Sequence, residues 1–346
     1  MENRKIDKNN IPERALLAEQ NVKAENESLI PSLYFKLAFI NENESSHRYY
    51  QIRHPGAVFS IHFEDVLTAL KELGIFVTKL QENCDKCTNE DHKKLESLSL
   101  ILLFQLINYF ESGYEMFLCF CGKKTKPKKD KPLFQWFEVN GYKEIISSYF
   151  NNINPFLKDY RNLFNALKHS SNHLGIFNMF NPTLNKKILG FYLQGVDEAG
   201  AIGPVRDFHP MFEGLTTAWS FNYHAIKIYY LIYKIALEME AVMEKLSKKE
   251  NLSFVISGLE TKHDHIGEVA KNAFLELQKF YKVFNVFYPQ EYKDDIWVGS
   301  EDLSKGPISF TKKIFAPVSF LGWGIQATYR GDGFSKSFNL IYYRGK

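Results

Sequence analysis

Residues 95–120 constrain this chain more than any other stretch. They are apolar around most of a helical circumference, a pattern a helix tolerates only when other elements cover it on several sides. The longest apolar block within them, 98–110, is shorter than the roughly 18–20 residues a bilayer crossing needs, and Gln105 and Asn108 interrupt it. A soluble bundle of packed helices, with no membrane partner, is therefore expected. Just upstream, Val66, Leu70, Leu73, Val77 and Leu80 recur at spacings of three and four, one face of a helix ending near Glu82. The two segments are expected to pair as an antiparallel hairpin through a loop over 83–94.

With 346 residues, 45% hydrophobic and 24% charged, the chain can bury a sizeable core and is too apolar for a disordered protein. Its 30 Phe, 19 Tyr and 4 Trp make core and surface ring-rich. Four cysteines are too few for a disulfide scaffold, and the first residues lack the apolar block of a secretory signal, so a cytoplasmic chain is expected. A net charge of +3 does not by itself imply a nucleic-acid partner, so any electrostatic argument rests on local patches.

Five consecutive segments follow from the pattern. Residues 1–30 read as a flexible polar arm. Residues 31–121 hold the helical hairpin, preceded by two short ring-rich pieces, 33–40 and 49–52, compatible with strands. Residues 122–132, with six lysines and two prolines, read as an exposed linker that cannot pack. The region 133–284 is helical. A helix over 142–153 is followed by a new one beginning at Asn154-Pro155, with Asn as the cap and Pro at the first helical position, and running to about residue 170. The chain is expected to leave that helix near Asn172 and Gly175, form a strand and loop over 187–205, and continue as one long helix over 215–247 and a shorter one over 266–281. Residues 285–346 turn to β character, with strands over 321–330 and 334–343 flanking Gly331-Asp332-Gly333 and a third over 308–320. The expected fold class is mostly α (α+β): an antiparallel helical bundle with a short β-hairpin insertion and a C-terminal β-hairpin or small sheet.

Several residue groups invite a chemical reading. Cys84 and Cys87 with Cys119 and Cys121 look like two halves of a zinc site. An antiparallel hairpin separates the pairs by roughly 25 residues at 1.5 Å each, nearly 40 Å, so they cannot close one shell. A smaller site of Cys84, Cys87 and His92 lacks a fourth ligand, and ordinary reduced thiols are the commoner reading. His263 and His265 belong to a polar loop before a helix, and His224, inside an aromatic segment, reads as a packed core histidine. No P-loop, GxGxxG, nucleophile elbow or HExxH motif occurs. Neither a metal nor a cofactor is expected.

The informative stretch is NPFLKDYRNLFNALKHSSNHLG, residues 154–175. On a helical wheel Phe156, Tyr160, Leu163, Phe164 and Leu167 gather on one side, and Lys158, Arg161, Asn162, Asn165, Lys168 and His169 on the other. Three cations, two amides and one titratable ring share that face with no carboxylate to neutralise them, which suits an anionic ligand such as phosphate. The plainer reading is a solvated helix face whose histidine interacts with the helix dipole.

The order Arg161-Asn162, Asn165, Lys168-His169 resembles the motif helix of HEPN-type proteins, a family of α-helical domains. There an Arg, commonly followed by Asn, Asp or His, precedes a His with about four to six residues between them. Here seven residues intervene, 162–168. The two side chains are therefore offset by about 80° and about 12 Å along the axis, against about 20° and about 10.5 Å for the six-residue version. The resemblance implies a metal-independent endoribonuclease of the kind found among toxins and phage-defence effectors, with a site assembled across a homodimer. It implies Arg161 and His169 as the catalytic pair, with Asn162, Asn165, Lys168 and Lys158 supporting or binding phosphate. Lys123, Lys124, Lys126, Lys128, Lys129 and Lys131 could hold an RNA backbone, although such runs are more commonly solvated loops. The alternative is a non-catalytic module that recognises nucleic acid, nucleotide or an acidic partner protein through the same cationic face.

Overall fold

The structure, a computed structural model, describes residues 29–38, 40, 45–82, 88–128, 131–169, 172–181, 186–196, 202–209, 211–212, 215–252, 264–287, 296–298, 308–310, 325–331 and 334–342. The protein is mostly helical. Its helices are α1 (Ser32–Ala38), α2 (His47–Tyr50), α3 (Pro55–Glu82), α4 (Asn89–Leu118), α5 (Leu133–Val139), α6 (Lys143–His169), α7 (Phe221–Lys249) and α8 (Asp264–Phe287). The strands are β1 (His173–Asn181), β2 (Lys186–Val196), β3 (Ile202–Pro204), β4 (Met211–Phe212), β5 (Leu215–Ser220), β6 (Ile296–Val298), β7 (Ile308–Phe310), β8 (Ile325–Gly331) and β9 (Phe334–Tyr342). Two compact units form, each from three separate stretches: residues 1–68, 104–158 and 229–273 in the first, and 69–103, 159–228 and 274–346 in the second. The expected arm lies almost wholly outside the described residues.

Rings build the first unit. Phe59 and Phe63 of α3 meet Tyr109 of α4 at 6.0 and 6.1 Å, and Phe63 meets Tyr233 of α7 at 5.9 Å. Phe110 and Tyr149 of α6 stack at 4.7 Å, and the Tyr149 hydroxyl donates to the Phe110 carbonyl at 2.8 Å, so a large apolar ring is buried without an orphaned oxygen. Residues 33–40, read as a strand, fall largely in helix α1. Leu33 and Leu37, one turn apart, are buried, while Lys36 reaches Glu240 and Glu244 of α7 at 2.5 and 2.7 Å. Residues 49–52 likewise are no strand: α2 is a single turn closed by Gln51 at φ 60°. Segments this short carry no period long enough to separate helix from strand, and tertiary partners decide.

In the second unit Thr88 and Asp91 cap α4 reciprocally, the Thr88 hydroxyl accepting from the Asp91 N–H at 3.2 Å and the Asp91 carboxylate accepting from the Thr88 N–H at 2.9 Å. The main sheet runs β1-β2-β5-β9-β8, with β3 on β2 and β4 on β5. Every pairing in it is antiparallel except β5 with β9, so the C-terminal hairpin joins the inserted one in a single sheet. The helix expected over 215–247 therefore starts late. Residues 215–220 are strand β5, held between Gly190-Phe191 of β2 and Leu340–Tyr342 of β9, and α7 begins at Phe221. The third strand expected over 308–320 appears only as Ile308–Phe310, which pairs with β6 in a separate two-stranded sheet. The loop between β8 and β9 lies at residues 332–333, outside the described residues. Gly175 of β1 faces Tyr192 of β2, whose ring lies so close that an added Cβ would sit 2.1 Å from Cζ.

Candidate functional site

The chain does not restart at Asn154-Pro155: α6 runs unbroken from Lys143 to His169 with Pro155 inside it. A proline there leaves the carbonyl four residues earlier without its N–H partner. That residue, Asn151, is exposed, so water can satisfy the carbonyl. Tight packing holds the helix together through the proline, with Ile153 and Leu157 both fully buried.

The C-terminal half of α6 belongs to the second unit and is two-sided. Tyr160, Leu163 and Leu167 are buried, Asn162, Asn165, Lys168 and His169 are exposed, and Arg161 is half-buried. Lys158, exposed on the same helix, is the last α6 residue of the first unit. Lys168 extends its ammonium over the Phe164 ring at 5.6 Å, and His169 closes the last turn, where cations interact favourably with the helix C-terminus. Asn165 and His169, four residues apart, share a side of the helix.

Behind this face lies a group that the sequence pattern concealed. The ammonium of Lys227, on α7, sits 5.4 Å from the Tyr160 ring centroid with only 5% of the residue exposed. Burial pulls its amine down to about 8, opposed by the charge of Asp159. His224, one turn earlier, packs against Tyr160, Phe191 and Trp219 at 5.7, 5.1 and 5.5 Å. Burial first, and then the charge of Lys227, hold its imidazole well below the usual range. His209 is itself fully buried and accepts the Leu193 N–H on Nε2 at 2.8 Å, so the ring's proton resides on Nδ1. The signal for Lys227 was present as a lone cation in an otherwise apolar and aromatic run, but sequence spacing alone does not say which helix covers it. A small apolar cavity of about 40 Å³ adjoins this group, with Ser99, Tyr160 and His224 in its wall.

The lysine segment is less loose than its composition suggests. Lys123, Lys124, Lys126, Lys128 and Lys131 are exposed as expected, and Lys129 lies outside the described residues. Yet the backbone is pinned. The Tyr50 hydroxyl donates to the Gly122 carbonyl at 2.6 Å and accepts from the Lys124 N–H at 3.1 Å. The Tyr49 hydroxyl donates to the Lys124 carbonyl at 2.7 Å, and Trp136 Nε1 donates to the Thr125 carbonyl at 2.6 Å. Lys124 and Lys126 lie over the Tyr142 and Tyr49 rings at 5.5 and 5.6 Å. Over residues 122–126 the backbone is thus held by rings and not by an apolar core.

Of the cysteine pairs, Cys84 and Cys87 lie outside the described residues. Cys119 and Cys121 are buried, direct their thiols at the Glu115 and Phe117 carbonyls, and are pushed up by burial far from the thiolate form a metal needs. His263 lies outside the described residues, and His265 pairs with Glu64 at 3.3 Å. Among the described residues no helix is long and apolar enough to cross a membrane, and no three His, Cys, Asp or Glu side chains converge as a metal site. Comparison of the chain with protein-family models, with curated proteins and with solved structures finds no match.

Proposed function

We propose that this protein is a metal-independent endoribonuclease of HEPN type that acts through Arg161 and His169 of α6. The observation that carries this reading is the two-sidedness of the helix. One side is locked into the second unit by Tyr160, Leu163 and Leu167, while Asn162, Asn165, Lys168 and His169 stand in water on the other. Such a face offers a phosphodiester both charge neutralisation and proton transfer from a fixed scaffold. In this reaction His169 takes the proton of a ribose 2′-hydroxyl. The 2′-oxygen bonds to phosphorus, the bond from phosphorus to the 5′-oxygen breaks, and an imidazolium returns a proton to the departing 5′-oxygen. Arg161 stabilises the charge that builds on the non-bridging oxygens, with Lys168 as a further point charge. The axial offset of about 12 Å between the two residues favours a composite site, in which Arg161 of one subunit works with His169 of the partner subunit.

The test is cleavage of a mixed RNA pool by the purified protein in excess EDTA, beside Arg161→Ala and His169→Ala. Products ending in 2′,3′-cyclic phosphate from the unaltered protein alone support the reading, and cleavage retained by both variants overturns it. The lysine segment favours a second reading, a binding module without turnover. Its exposed ammonium groups, ordered on Tyr49 and Tyr142, would track a polyanion with strong salt dependence and yield no products.

A further inference from the structure

The cavity of about 40 Å³ beside Tyr160 lies wholly among residues of the second unit. Most of its wall is apolar, with Leu73, Leu102, Leu163, Phe191 and Ile228 among the side chains that form it. Three polar residues interrupt that wall, each from a different helix: Ser99 of α4, Tyr160 of α6 and His224 of α7. Ser99 carries the argument. It is only 8% exposed, and its Oγ finds no hydrogen-bond partner among the described residues. A helical serine often returns its hydroxyl to the carbonyl four residues earlier, as Ser97 does to Lys93 at 2.9 Å. An unpaired hydroxyl in an apolar wall is costly, and alanine at the same place would both avoid that cost and favour the helix. A buried hydroxyl left off its own helix in the wall of a cavity is satisfied by what the cavity holds.

Size and chemistry identify the occupant. Benzene enters an engineered apolar cavity of about 150 Å³, whereas a water takes up about 30 Å³ in the liquid, so a space of about 40 Å³ suits one water and not a ring-sized ligand. A buried water also needs two to four polar partners, and the three polar residues of the wall can supply them. A serine or tyrosine hydroxyl both donates and accepts. Burial keeps the His224 imidazole neutral, so its ring offers one donor and one acceptor.

We infer that this cavity is a built site for one internal water, held by the Ser99 hydroxyl and shared with Tyr160 and His224, so that the water forms a polar link among α4, α6 and α7. The inference does not depend on the ribonuclease reading, because it is tested without RNA. Oxygen-17 relaxation dispersion on the full chain counts long-lived internal waters, and Ser99→Ala is the variant that tests the site. The expected result is the loss of one such water, with a melting temperature lower by about 1–3 °C. The sign of that shift discriminates. At a dry cavity the same substitution removes an unpaired hydroxyl and installs the better helix former, so the melting temperature rises. A second readout needs no variant: the methyl groups of Leu102 and Leu103, both buried in the cavity wall, should show nuclear Overhauser contacts to water in the unaltered protein. An unchanged count of internal waters in Ser99→Ala, a raised melting temperature, or the absence of those water contacts overturns the inference.

Discussion

The second unit holds two His and Lys pairs in opposite surroundings. Lys168 and His169 close α6 in open water, whereas His224 and Lys227 open α7 beneath the same helix, with Lys227 over Tyr160 and His224 among Tyr160, Phe191 and Trp219. The residue types match and the chemistry does not. Burial strips the inner pair of much of its tendency to hold protons, while the outer pair is exposed on the helix surface. Environment, more than residue type, separates a candidate reacting group from a packing group.

The sharpest way to break that contrast is kinetic. His169→Ala and Arg161→Ala should each lower cleavage by about 10² to 10⁴ with little change in melting temperature, while His224→Phe keeps most of the activity. An equal loss of cleavage in His224→Phe, with the fold intact, would remove the distinction. Next in size is the cost of burying Lys227. Its amine stands at about 8 against 10.5 when free, so the folded chain bears a penalty that is complete below about pH 8 and fades as pH rises towards 10.5. Lys227→Met should therefore raise stability near neutral pH by up to about 3 kcal/mol and abolish that rise. Denaturant titrations across this range would read both effects.

On the acid side the inner histidine sets the sign. Its folded ring stays neutral well below 6.5, so as pH falls through 6.5 the unfolded chain takes up a proton that the folded one refuses. Stability should then decline by about 1.4 kcal/mol per pH unit until the folded ring protonates, and His224→Phe should flatten that limb. The smallest effect belongs to the lysine segment. Lys124→Ala with Lys126→Ala should cost under about 1 kcal/mol of stability per ring contact and lower the salt slope of RNA binding by about two, leaving cleavage at saturation unchanged.

Legibility from sequence followed the range of the interactions involved. The run from Val66 to Leu80 repeats over several turns, and a helix over those residues is what the structure contains. At Asn154-Pro155 a good local cap signal lost to packing on either side, where Ile153 and Leu157 continue one buried stripe through the proline. Residues 215–220 look helical in isolation because their strand partners, Phe191 and Leu340–Tyr342, are remote in the chain. The outward face of α6 could be read because its residues sit within three turns of each other, whereas the burial of Lys227 against Tyr160 could not.

By itself, then, the sequence determined which stretches wind into long helices and which side of residues 156–169 is polar, since both depend on periodicity within one helix. Tertiary structure alone decided that Pro155 stays inside a helix, that the lysine segment lies strapped to tyrosine rings, and that Lys227 is buried against Tyr160. Each of these is settled by partners many residues away, whose contacts outweigh local preferences of about 1 kcal/mol or less per residue.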